Sequence, residues 1–191
     1  MFFSKFIVPA VALFSAASSV FATPIDPAVA GLVAKRAEAT DVTNTCKQVY
    51  DSCAPHIANI AAGVVVVADA TVAVDVVAEV NAILDIVVAA TAELDAYVGL
   101  NVNAELDAIV AVTIDLIVSL FASLGSCGCG GPSLWARIDA VIAAYLAVLA
   151  RINADICVHI GHGIPFINLN LFVTLKLILC AKILGLVNIL L

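Results

Sequence analysis

Between Ala54 and Ser126 the chain places nine carboxylates (Asp69, Asp75, Glu79, Asp85, Glu93, Asp95, Glu105, Asp107 and Asp115) and neither lysine nor arginine. These acids interrupt an otherwise nearly continuous run of Val, Ala, Leu and Ile. A membrane-spanning helix needs about 20 consecutive apolar residues, and a carboxylate at mid-bilayer costs about 2.5 to 3.5 kcal/mol. The acids at Asp69 and Asp115 cut the central runs, and Lys176 and Lys182 cut the last stretch from Ile164 to Leu191. A multi-pass membrane protein is therefore disfavoured. The remaining apolar surface has to be buried in a bundle, covered by self-association, or spent at an interface.

Long helices suit the central segment best. Proline is absent from Ile57 to Cys129, and only Gly63, Gly99, Gly125 and Gly128 punctuate it. The piece "GVVVVADATVAVDVV" carries a partial period-two alternation that would suit a strand, but the high alanine content favours helix. "VNAILDIV" at Val80 returns as "VNAELDAIV" at Val102, about six helical turns later, a weak repeat like those of exchangeable lipid-surface proteins. Past a Gly-rich corner over residues 125–132, Pro132 and Ser133 suit a helix start with Ser133 as cap, and one helix is expected over "LWARIDAVIAAYLAVLARINADICVHI". "GHGIPFINLN" then breaks the chain before a last apolar helix from about Leu169 to Leu190. The expected fold is all-α, an antiparallel bundle of roughly four to six helices, with the central helices bent near Gly63 and Gly99.

The N-terminus reads as a processing segment. "MFFSKFIVPAVALFSAASSVFA" has a basic Lys5, an apolar run and a small-residue cleavage site ending at Ala22, which is the pattern of a secretory signal peptide. Lys35-Arg36 resembles the dibasic site of fungal pro-segments, so residues 23–36 are expected to be a pro-segment and residues 37–191 a single domain. An extracellular location follows.

Six cysteines, Cys46, Cys53, Cys127, Cys129, Cys157 and Cys180, in a secreted chain point to three disulfides. Cys46 and Cys53 lie about 10.5 Å apart if they share a helix, beyond disulfide reach, and Cys127 and Cys129 are too close in sequence to pair comfortably. Several arrangements stay open. The preferred one ties Cys46 and Cys53 to Cys127 and Cys129 and joins Cys157 to Cys180, stapling the bundle.

Candidate chemistry is sparse. "CVHIGHG" brings Cys157, His159 and His162 close in sequence, a weak metal pattern with His56 or a carboxylate as a further ligand. Glu93 with Asp95, and Glu105 with Asp107, are carboxylates two apart, which point away from each other on a helix. No GxSxG, HExxH or phosphate-loop motif occurs. The expectation is a protein that is not an enzyme and uses neither metal nor cofactor. Nucleic acid is excluded as a partner because a basic footprint is missing, and the overall acidity disfavours anionic lipid too. From Pro132 onward the balance reverses, Arg137, Arg151, Lys176 and Lys182 outnumbering Asp139 and Asp155.

Composition decides the class. Hydrophobic residues make up 64% of the chain and charged ones 12%, against about 45 to 50% and about 25% in soluble domains. No Asn-x-Ser/Thr sequon is available to carry N-linked sugar over apolar patches. The signal segment, dibasic site, six cysteines, Ala/Val-rich helices and very hydrophobic C-terminal half together resemble the small secreted hydrophobic hyphal-wall proteins of mushroom-forming fungi. The chain is not a hydrophobin, since hydrophobins contain adjacent cysteine pairs and no two cysteines here are adjacent. The resemblance implies a structural role in aerial hyphae and in attachment to hydrophobic surfaces. The expected partners are further copies of the chain, cell-wall polymers and hydrophobic interfaces. Phe166, Leu169, Leu171, Phe172, Leu175, Leu179, Leu186 and Leu190 are the expected adsorbing residues. A lipid carrier and a membrane-active effector are the alternatives. Acidification is expected to promote assembly by removing repulsion among the central carboxylates.

Overall fold

The computed structural model describes residues 27–67, 70–73, 75–128 and 131–186. In chain order these form α1 (Pro27–Ala62), a hairpin of β1 (Val64–Val67) and β2 (Ala70–Ala73), α2 (Val76–Leu94), a 3-10 turn (Asp95–Tyr97), α3 (Leu106–Cys127), α4 (Pro132–Ile152), α5 (Ala154–Gly163), α6 (Phe166–Thr174) and α7 (Ile178–Ile183). The protein is thus mostly helical, as expected, with seven α-helices among the described residues. The signal segment lies outside them. Backbone helix runs through Lys35 and Arg36 without a break.

α1 shows why this sequence folds as a bundle. Val42, Cys46, Val49, Cys53, Ile57 and Ile60 recur every three or four residues and are all buried, one stripe of a helix turned to a common core. α1 packs on α2 and α3, α2 packs on α4, and the three short C-terminal helices fill the gap between α3 and α4. α1 and α2 run antiparallel. Thr45 Oγ1 donates to Glu93 at 3.0 Å near one end, and His56 Nδ1 lies 2.6 Å from Glu79 near the other.

Several boundaries differ from the sequence reading, each for a local reason. The alternating Val-rich piece is a hairpin, with Val64 opposite Ala73 and Val67 opposite Ala70, so β-branched residues outweigh alanine there. Gly63 and Gly99 have φ of +65° and +91°. They end or follow helices rather than bend them, since a left-handed residue stops a helix. α4 starts at Pro132 with Gly131 before it and no side-chain cap, so Ser133 lies inside the helix. Asn153, in an extended conformation, ends α4 and caps α5 by accepting from the Asp155 amide at 2.9 Å, splitting the expected single helix in two. The repeat is not structural. Its first copy lies within α2, where the Asn81 Oδ1 atom is buried without a partner. Its second copy straddles the turn into α3, where Asn101 accepts from the Asn103 amide.

α3 and α4 are long and apolar enough to cross a membrane by length and composition, which the run-based reading had not credited. Half of the most apolar window of each is buried inside the protein, so packing in the bundle uses one side of each helix and leaves apolar residues such as Val110, Val112 and Ile114 only half-buried.

The expected disulfide staples are absent. Cys46, Cys53, Cys157 and Cys180 are free, buried thiols, and Cys127 is disulfide-bonded to none of these four; Cys129 lies outside the described residues. The reason is vertical spacing. Cys157 Sγ donates to the Leu146 carbonyl at 3.3 Å, and Cys180 Sγ to the Asp139 carbonyl at 3.5 Å. Those carbonyls lie two turns apart on α4, about 10.5 Å, too far for a bridge. Cys46 sits beside Thr113 in the middle of α3, and Cys127 is fourteen residues further along that helix, about 21 Å. Four of the six cysteines are therefore reduced thiols, while Cys127 is oxidised in a disulfide outside that set.

Candidate interfacial site

The C-terminal end of the bundle holds large aliphatic side chains out in water. α6 is anchored from below by Phe172, whose ring meets Phe121 of α3 edge-on at 5.3 Å and 89°, and by Leu171, which lies over Gly125 so closely that a Cβ there would meet it at 2.8 Å. The helix then stops in a Schellman turn. The Leu177 amide donates to the Phe172 carbonyl at 2.8 Å, and the Lys176 amide to Val173 at 3.1 Å, with Phe172 and Leu177 both buried as the hydrophobic pair of that motif. This geometry needs a left-handed residue, and the chain supplies Lys176 at φ +56°, the one non-glycine with positive φ among the described residues.

α7 starts directly after the turn and is held by a buried acid. Asp139 of α4, 5% exposed, accepts from the Leu179 amide at 2.8 Å through Oδ2 and from the Cys180 amide at 2.9 Å through Oδ1. Both oxygens are thereby satisfied by first-turn N–H groups, the favourable arrangement for an anion at a helix N-terminus. Burial and the Asp139 carboxylate push the Cys180 thiol pKa up. At the far side, Gly161 of α5 approaches the Leu184 carbonyl so closely that a Cβ would lie 2.3 Å from it, locking α5 against the end of α7. On this scaffold Val173, Ile178 and Leu179 are 56%, 69% and 48% exposed.

The expected adsorbing residues divide accordingly. Leu169, Phe172, Leu175 and Leu186 are buried and belong to the core, and Leu171 is half-buried. Leu179 is exposed, while the Phe166 side chain and Leu190 lie outside the described residues. Val173 and Ile178 were missed. The signal that finds them is the break at Lys176: with one continuous helix they fall on an arbitrary face, whereas a reversal there turns them outward.

Lys176 is itself testable. A left-handed lysine costs about 1 kcal/mol, part of which glycine returns through the entropy of the unfolded chain. Lys176→Gly is expected to stabilise the fold by about 0.5 kcal/mol, read as a higher urea midpoint. An unchanged or lower midpoint would show the turn to be unstrained.

Among the described residues the other polar groups are spread over the bundle. Glu93 accepts from Thr45 while Asp95 pairs with Arg151 of α4, and Glu105 accepts from Thr43 at 3.3 Å while Asp107 is exposed. Three of the central acids, Glu79, Glu93 and Glu105, thus hydrogen-bond to α1, Asp75 caps α2, and Asp85, Asp107 and Asp115 are exposed. Cys157 points into the core, His159 and His162 are exposed, and His56 is on α1 beside Glu79, where Asn59 also donates at 3.0 Å. Among the described residues no three His, Cys, Asp or Glu side chains gather to hold a metal ion. At the centre of the bundle the fully buried Tyr145 hydroxyl lacks a partner at hydrogen-bonding geometry and faces Cys46, Cys53 and Thr113. Burial pushes the Cys46 and Cys53 thiols up to about 11, so both are protonated and poorly nucleophilic at neutral pH.

No protein-family model, curated protein or solved structure matches this chain.

Proposed function

We propose that the protein is a secreted, non-enzymatic, surface-active structural protein that adsorbs at hydrophobic boundaries of a cell wall or matrix, in the manner of the hyphal-wall proteins it resembles, and supports aerial growth and attachment. The observation that carries the reading is the exposed aliphatic turn of Val173, Ile178 and Leu179 on a rigidly held scaffold. Exposed carboxylates are spread over the rest of the bundle, Asp41 and Asp51 on α1, Asp85 and Glu93 on α2, Asp107 and Asp115 on α3 and Asp155 on α5, which keeps the protein dispersed until it reaches a boundary. Adsorption is driven by removing apolar area from water, at about 25 cal/mol per Å². Truncation at Ile164 is a poor test, because it also removes the core residues Phe172, Leu175 and Leu177. The better variant is Val173→Ser/Ile178→Ser/Leu179→Ser, which alters exposed positions alone. The full chain is expected to coat Teflon and the triple variant to coat it several-fold less; equal coating would sink the reading.

Lipid carriage is the second reading. A groove of about 420 Å³ between α2 and α4, lined by Val88, Ala92, Ala140, Ala144 and Val148, ends at the exposed Asp95–Arg151 pair. Its size falls within the range of small-molecule sites. Stoichiometric lipid in the purified protein, with adsorption to Teflon absent, would favour it.

A further inference from the structure

We infer that the α6–α7 turn is a lipid-surface anchor, in which Val173, Ile178 and Leu179 enter the acyl boundary of a bilayer while Lys176 and Lys182 bind its anionic headgroups. The inference rests on the proposed adsorbing role of this turn and names the boundary it fits. Whole-chain acidity argues against such a surface, yet the local charge has the opposite sign. Residues 166–186 contain Lys176 and Lys182 and no Asp or Glu. The nearest acid of the scaffold, Asp139, is buried and spent on the Leu179 and Cys180 amides, so it presents no charge to the outside.

The geometry places the cations around the aliphatic tip. Lys176 sits in the turn itself, where its carbonyl accepts from the Ile178 amide at 3.0 Å. Lys182 follows Ile178 by four residues on α7, so it shares that helix face, and both lysines are exposed. Aliphatic residues rimmed by lysines are the arrangement that interfacial segments use, the flexible stems letting each ammonium reach the headgroup layer. A strained non-glycine residue at a position that favours glycine points to a retained function of its side chain. Here that side chain is a cation beside the two exposed aliphatic residues that open α7, Ile178 and Leu179.

The test is flotation of the full chain with vesicles of phosphatidylcholine mixed with phosphatidylglycerol, and with vesicles of phosphatidylcholine alone. Two lysines near the surface predict about thirtyfold tighter binding to the mixed vesicles, with high salt removing the difference. Lys176→Glu/Lys182→Glu should abolish the preference, and Ile178→Ser/Leu179→Ser should abolish flotation. Both alter exposed positions, so circular dichroism should be unchanged. Ile178→Trp supplies a direct readout, a blue shift of emission on adding mixed vesicles. Equal flotation with both vesicle types, flotation that survives Ile178→Ser/Leu179→Ser, or a turn that instead joins two copies of the chain would overturn the inference. Teflon coating without vesicle binding would remove the anchor and leave the proposed function standing, whereas loss of both would remove the two together.

Discussion

Replacing Asp139 by alanine is expected to destabilise the fold by about 3 to 5 kcal/mol and to release the C-terminal turn before the rest of the bundle. The carboxylate accepts two backbone N–H groups at 2.8 and 2.9 Å, and hydrogen bonds to a charged partner contribute about 1.5 to 3 kcal/mol each. The alanine variant leaves the buried Cys180 amide without an acceptor, and relief of the carboxylate's own desolvation offsets only part of the loss. Asp139→Asn keeps one acceptor and turns an amide N–H toward the second donor, so it should lose roughly half as much. The check is the urea midpoint together with hydrogen exchange of the Leu179 and Cys180 amides, which should lose protection first. A loss below about 1 kcal/mol would show that the turn is held by packing alone.

Alkaline pH is expected to unfold the protein even with reductant present. Burial raises the thiols of Cys46, Cys53 and Cys157 from 9.0 to about 11, so above pH 9 the unfolded chain has released protons that the folded chain still holds. Stability is therefore complete below about pH 9 and is lost as the pH rises from there to about 11, by up to about 1.4 kcal/mol per pH unit for each thiol. The three thiols act in the same direction, so the loss accumulates across that window. Tyr145, raised well above its ordinary value chiefly by burial, acts in the same direction at higher pH. Urea titrations by circular dichroism between pH 8 and pH 11 should show the midpoint falling, and Cys46→Ala, Cys53→Ala and Cys157→Ala should each flatten the fall. A constant midpoint across that window would mean that solvent reaches the thiols in the native state.

The helical class was legible because alanine is abundant and proline is absent from Ile57 to Cys129, whereas the buried stripe of Val42, Cys46, Val49 and Cys53 on α1 emerges only from the packing. What escaped the sequence depends on single residues whose meaning is tertiary. Asn153 reads as an unremarkable helical residue until its extended backbone makes it the end of one helix and the cap of the next. Asp139 reads as a surface charge on an amphipathic helix, and only the arrival of α7 above it turns it into a buried acceptor. Lys176 carries no glycine signal, so the turn that reverses the tail cannot be found from turn chemistry. The disulfide expectation failed for a related reason. An even number of cysteines says nothing of height along a helix, and it is height on α4 that separates Cys157 from Cys180. For the tail, hydrophobicity alone could not separate the leucines that pack inward from the few residues that the turn at Lys176 leaves outside.

The central claim is that this turn, rather than the chain's general hydrophobicity, gives the protein its surface activity. The most direct measurement is the air–water surface tension of the folded full chain beside the Val173→Ser/Ile178→Ser/Leu179→Ser variant at equal concentration. The account predicts a rapid fall in tension for the native chain and a much slower and smaller one for the variant. Equal curves would place the surface activity elsewhere, in the opening of the core or in residues outside the turn, and would contradict it.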